Sequence, residues 1–208
     1  MHIKICGLTN IDDALAAIDA GATHLGFNFY PKSPRYIEPA ACARIVSVIR
    51  SPSTVCLVGV FVNEPPTHIA AVLDHCGLHF AQLHGEETPE RLAALPGRAF
   101  KAFRGIGTSH AAYAHARGEG RAPAFLIDGH SPALYGGTGR VADWSAAQAI
   151  AATYPIFLAG GLTPENVAQA IALVKPWGVD VASGVESTPG KKDPAKVRAF
   201  VANATLSD

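Results

Sequence analysis

Charge of a prevailing sign is missing from this sequence. Its 208 residues carry 17 Lys plus Arg against 17 Asp plus Glu, so no net field draws the chain to nucleic acid or to an acidic membrane. Neither is expected as a partner, and selectivity must come from the placement of single charges. A long apolar run is missing too: no stretch approaches the roughly 20 residues that a helix needs to cross a bilayer. Met1 leads straight into a strand-like run with Lys4 inside it, not into the basic start and apolar core of a secretion signal. Cysteine is sparse. Cys6, Cys42, Cys56 and Cys76 show neither CxxC spacing nor the density of a disulfide scaffold, which fits reduced thiols in a cytoplasm. The histidines include no HxH, HExxH or Cys/His spacing, so no metal is expected.

What is present is apolar and regularly divided. With 49% apolar residues and no linker-like stretch, the chain is expected to form one domain over residues 1–208. Short β-rich runs cover His2–Gly7, His24–Phe29, Val55–Phe61, His79–His84, Arg98–Arg104, Ala124–Asp128, Ile156–Ala159 and Val179–Ser183. Between them, helical patterns cover about 11–20, 39–50, 66–76, 88–95, 109–117, 143–152, 164–174 and 194–204. In the first of these, Asn10 is the predicted N-cap, Asp12 and Asp13 lie in the first turn, and Gly21 is the stop. Runs such as VCLVGVF are apolar on both faces, as in strands covered by helices outside and packed side chains inside. Eight strand–helix units predict a closed (β/α)8 TIM barrel of the α/β class. The rival, an open doubly wound sheet, usually has fewer strands and an early Gly-rich fingerprint, whereas here the glycine clusters come late.

Those late glycines suggest a phosphate site. LAGGLTPENV reads as strand, turn at Gly160 and Gly161, Thr163 as N-cap and Pro164 at the first helical position. Glycines let backbone N–H groups approach an anion, and a helix N-terminus adds partial positive charge. In VDVASGVES, Ser183 and Gly184 end the next strand and repeat the logic. One such loop could be a plain turn; two in succession after the seventh and eighth strands sit where such barrels commonly hold phosphate.

Titratable residues end other strands. Period-2 alternation puts Lys4 and Cys6 on one face of the first strand and Ile3 and Ile5 on the other, so Cys6 is expected at the barrel mouth. Cys42, Cys56 and Cys76 read as buried and inert. Ala124, Leu126 and Asp128 share a face of the sixth strand. After Asp128 comes GHSPALYGGTGRVADW, whose Gly136, Gly137 and Gly139 would let it fold over a ligand as a lid. Arg35, in a proline-stiffened loop after the second strand, could offer its fork to a carboxylate, or be a solvated surface group. Gln82 and His84 read as positioning or packing groups. Asp180 faces the barrel on strand phase, with Lys4 as its expected partner.

KICGLT, FNFYPKSPRYI, GVFVN, QLHGEE, LIDGHSPALYGGTG, FLAGGLTPENV and VDVASGVESTPGKKD together resemble the recurring segments of the phosphoribosylanthranilate isomerase family, a cofactor-free barrel family of tryptophan biosynthesis. The resemblance covers nearly the whole chain. It implies an Amadori rearrangement of N-(5-phosphoribosyl)anthranilate, with Cys6 as general base and Asp128 as general acid. Arg35 would bind the anthranilate carboxylate, and the amides around Gly160, Gly161, Ser183 and Gly184 the sugar phosphate. No cofactor is implied, a small phosphosugar is the expected partner, and a monomer is preferred because the helices show no excess apolar stripe. Ala182 departs from the pattern, which more often has Ser or Asn there. The chemistry asks for a raised pKa on Asp128 and some thiolate on Cys6. Other readings are another phosphosugar enzyme on this fold and a phosphate-binding barrel without catalysis, which would need neither Cys6 nor Asp128.

Overall fold

Eight buried, mostly apolar strands close on themselves. In the computed structural model, which describes residues 1–49, 55–105, 110–114, 121–128 and 144–206, β1 (His2–Cys6), β2 (His24–Asn28), β3 (Cys56–Phe61), β4 (Phe80–Leu83), β5 (Ala99–Arg104), β6 (Phe125–Asp128), β7 (Ile156–Ala159) and β8 (Gly178–Val181) pair in parallel in chain order. The pairing of β1 with β8 shuts the barrel, with Lys4 opposite Asp180. This is the (β/α)8 barrel expected from the sequence.

The helices are α1 (Ile11–Asp19), α2 (Pro39–Ile49), α3 (Pro66–Cys76), α4 (Pro89–Ala93), α5 (Trp144–Ala151), α6 (Val167–Val174) and α7 (Pro194–Thr205). α1 starts as predicted, with the Asn10 side chain accepting from the Asp13 N–H at 2.9 Å, and stops at Gly21, whose φ is +99°. Where 109–117 predicted a helix, only a 3₁₀ turn at His110–Tyr113 is seen among the described residues, held by edge contacts of His110 and Tyr113 on Phe103. α6 begins three residues later than expected. Thr163 N–H donates to Asn166 Oδ1 at 2.8 Å and Glu165 N–H to Thr163 Oγ1 at 3.3 Å, a reciprocal cap that holds Pro164–Asn166 in a turn. Asn166 is therefore the N-cap of α6 in place of Thr163, which caps the preceding turn and accepts from Val167 through its carbonyl.

Strand alternation divides the core in two. Ile3, Ile5, Leu25, Phe27, Leu57, Phe61, Phe125 and Ile127 pack outward against α1, α2, α3 and α6. Val58, Phe80, Phe100, Ala102, Leu126, Phe157 and Ala159 fill the barrel itself. Side chains fill the barrel below its C-terminal mouth, so strand ends carry the chemistry. One element had no expectation behind it: β9 (Glu186–Thr188) and β10 (Lys191–Lys192) form a hairpin turned at Pro189–Gly190. Gly190 has φ +82°, and a Cβ there would sit 3.0 Å from the Pro34 carbonyl, so the hairpin lies on the Arg35 loop. Among the described residues no helix is long and apolar enough to cross a membrane.

Candidate active site

Residues from seven strand ends, all but that of β5, meet at one cavity of about 330 Å³. Cys6 ends β1 and Asp128 ends β6, with β7 and β8 between them around the barrel. Arg35, Gly160, Gly161, Ser183 and Gly184 line the same cavity, so all seven residues singled out from the sequence are brought together. The expected lid runs over 129–144; Trp144 opens α5, and 129–143 lie outside the described residues.

The glycine loops fill the arc between thiol and carboxylate. Gly160 and Gly161 have φ of +94° and +67°, a left-handed backbone that side chains disfavour. Ser183–Val185 form a single 3₁₀ turn directly after β8. A Cβ on Gly184 would overlap the Leu162 carbonyl oxygen and come within 3.2 Å of Thr163 Cα. Glycine there lets the two loops touch. Ala182 adds no polar side chain; its carbonyl accepts from Lys192 Nζ at 3.1 Å.

Arg35 is held in place from the far end of the chain. Its Nε–H and an Nη2–H donate to the two oxygens of Glu186 at 2.8 and 2.7 Å, and Lys192 Nζ donates to the same carboxylate at 3.0 Å. Burial opposes ionisation of Glu186, but hydrogen bonds from Arg35 and Lys192 outweigh it and hold the carboxyl below its ordinary pKa. Among the described residues the Nη1–Nη2 edge of the fork carries no further hydrogen bond, and Arg35 lines the cavity. Sequence reading missed Glu186 and Lys192, because ESTPGKK has no apolar pattern and 151 residues separate Glu186 from Arg35.

Lys4 is fully buried and bonds Asp180 Oδ1 at 2.9 Å, as strand phase had suggested. Burial pushes the Cys6 thiol above its ordinary pKa, with Lys4 pulling it back down and Asp180 pushing up again. The thiolate expected from the chemistry is therefore not the resting form at neutral pH. At the end of β4, Gln82 Nε2 lies 3.1 Å from Nδ1 of His84, just beyond the strand, while Gln82 Oε1 has no hydrogen-bond partner among the described residues. Burial, aided by the cations of Arg104, Lys4 and Lys101, lowers His84 to about 4, so its ring is neutral at pH 7. Cys42 and Cys76 are buried away from the cavity and Cys56 lies in the barrel filling. Among the described residues no group of three or more His, Cys, Asp or Glu is placed to hold a metal ion.

A parallel barrel whose mouth brings a thiol, a carboxyl, a guanidinium and two glycine loops to one cavity belongs with the (β/α)8 enzymes that act on small molecules. Which of them is decided by comparison. Residues 3–203 match the family model for N-(5'phosphoribosyl)anthranilate (PRA) isomerase, and the chain belongs to that family. It is 49% identical over 202 residues to the N-(5'-phosphoribosyl)anthranilate isomerase of Citrifermentans bemidjiense, covering 97% of this chain and 96% of the other. The crystal structure of phosphoribosyl anthranilate isomerase from Thermotoga maritima superposes with a TM-score of 0.84 at 41% identity, covering 99% of each chain. Another solved isomerase, 38% identical with a TM-score of 0.80 and 99% coverage of each chain, is in complex with reduced 1-(o-carboxyphenylamino)-1-deoxyribulose 5-phosphate.

Proposed function

We propose that this chain, as a single barrel unit, rearranges N-(5-phosphoribosyl)anthranilate to 1-(2-carboxyphenylamino)-1-deoxyribulose 5-phosphate, the aldose–ketose step of tryptophan biosynthesis, with Asp128 as general acid and Cys6 as general base. The observation that carries the role assignment is that the two groups line one cavity from β1 and β6, with the glycine cradle between them. A phosphate bound at Gly160–Gly161 and Ser183–Gly184 sets the ribose between acid and base, and the free edge of Arg35 takes the anthranilate carboxylate.

Asp128 gives its proton to the ribose ring oxygen, and the C1–O bond breaks as the anilino nitrogen lends its pair, leaving a protonated Schiff base. Cys6 thiolate takes the proton from C2; the C–H pair becomes the C1=C2 bond, and the iminium electrons return to nitrogen. The enolamine then tautomerises: C1 takes the proton that Cys6 holds, and the C2 hydroxyl proton returns to the Asp128 carboxylate. Acid and base end as they began, with no net oxidation.

The assay generates the unstable aminoaldose in situ and follows loss of its anthranilate fluorescence on adding protein. Cys6→Ala and Asp128→Ala should each slow turnover by about 10²–10⁴-fold while leaving the fold intact by circular dichroism. No acceleration by the unaltered protein would defeat the activity; full activity in either variant would defeat that residue's role.

A further inference from the structure

The ion pair beneath the cavity has no part in the scheme above, yet it is an expensive thing to build. A Lys–Asp pair at the floor of a barrel loses hydration that a packed apolar pair would never have needed. Lys4 is 0% exposed and Asp180 8%. Its position is specific: Lys4 lies two residues before Cys6 on β1, on the same inward face. The strand beside both is open at Gly26, which pairs with Cys6. A Cβ at Gly26 would come within 2.7 Å of Cys6 Sγ and 3.1 Å of Lys4 Nζ, so sulfur and ammonium crowd the same bare stretch of backbone. The ammonium has three N–H donors, and Asp180 takes one at 2.9 Å.

We propose that Lys4 is the positioning residue that equips Cys6 as a base: clamped by Asp180 and facing the sulfur over Gly26, its ammonium serves as counter-ion to the thiolate. This rests on Cys6 being the base of the proposed reaction. The pair acts in two senses. Lys4 favours the thiolate, whereas Asp180 competes with the sulfur for the same cation and repels its negative charge. Other groups also bear on Cys6. Lys192 on β10 and Arg35 after β2 are cations already shared by Glu186. Across the cavity stand neutral His84 just after β4 and Asp128 on β6. Among these, Lys4 is the strongest influence favouring the charged sulfur, and burial is what it works against.

The test measures the pH dependence of Cys6 alkylation by iodoacetamide in the full chain without substrate, read as the mass of the Cys6 peptide. It needs no isomerase activity, so its failure and that of the proposed reaction are separable. Lys4→Met should raise the thiol midpoint by about 1–3 units, with a tenfold or greater loss of alkylation rate at neutral pH. Asp180→Asn should move the midpoint the other way, because Cys6 gains sole claim on the ammonium. Damage to packing alone cannot produce opposite shifts from two partners of one ion pair. Midpoints that stay put, or move in the same direction, overturn the proposal. Should Lys4→Met not fold, Asp180→Asn decides alone: a lowered midpoint supports the role of Lys4, and an unchanged or raised one ends it.

Discussion

Arg35 offers only part of its guanidinium to the cavity, since Glu186 occupies the Nε–H and one Nη2–H. That division gives each residue a separable effect. Arg35→Ala should raise KM roughly tenfold or more, because a charge-assisted hydrogen bond contributes about 1.5–3 kcal/mol, with a smaller change in kcat. Glu186→Gln should also raise KM, through loss of the anchor. If Glu186 acts through Arg35, the double variant should bind no worse than Arg35→Ala alone. Steady-state kinetics on the four proteins decides; simple additivity would separate the two residues, and an unchanged KM in Arg35→Ala would remove it from binding. The sequence made Arg35 legible as a cation in a stiff loop. It could not show the partner, because contact between residues 35 and 186 exists only once the barrel has closed and the hairpin has folded onto the loop.

Among the elements, the eight strands were readable because burial on both faces leaves an apolar run with sharp ends, and those ends put Cys6, Asp128 and the glycines within reach of one opening. β9 and β10 were not readable, being polar and short, although they deliver Glu186 and Lys192. The glycine loops were legible as turns, but the reason for Gly184 in particular is contact with Leu162, which only the folded state displays. Gly184→Ala should therefore force the β7 and β8 loops apart, raise KM and weaken competitive inhibition by inorganic phosphate in parallel. Gly97→Ala is the control, since φ is +69° there but nothing lies within 4 Å of an added Cβ. It should cost about 1–2 kcal/mol of stability and leave KM unchanged. Normal phosphate inhibition in Gly184→Ala would contradict the cradle.

At the scale of the whole molecule, the far end of the barrel from the cavity is closed by an aromatic plug whose charge state couples folding to pH. His24 is 2% exposed, with Phe157 and Trp177 at 5.1 and 5.7 Å between ring centroids and His2 at 5.5 Å. Burial lowers its pKa to about 4, against about 6.5 in an unfolded chain. Between those values the unfolded state holds the extra proton, so acid favours unfolding: the stability present above about pH 6.5 drains away as pH falls toward 4. At about 1.4 kcal/mol per unit, His24 alone accounts for about 3 kcal/mol. Carboxyls such as Glu186, held below its ordinary pKa by Arg35 and Lys192, add their loss lower down, when they protonate. Urea unfolding from about pH 7 to about pH 4 should therefore show a midpoint that falls with acid, and a His24→Gln variant should show a shallower slope above pH 5 than the unaltered protein. Parallel curves for the two would mean that His24 already titrates normally in the folded barrel, and that the aromatic plug admits either water or a counter-ion.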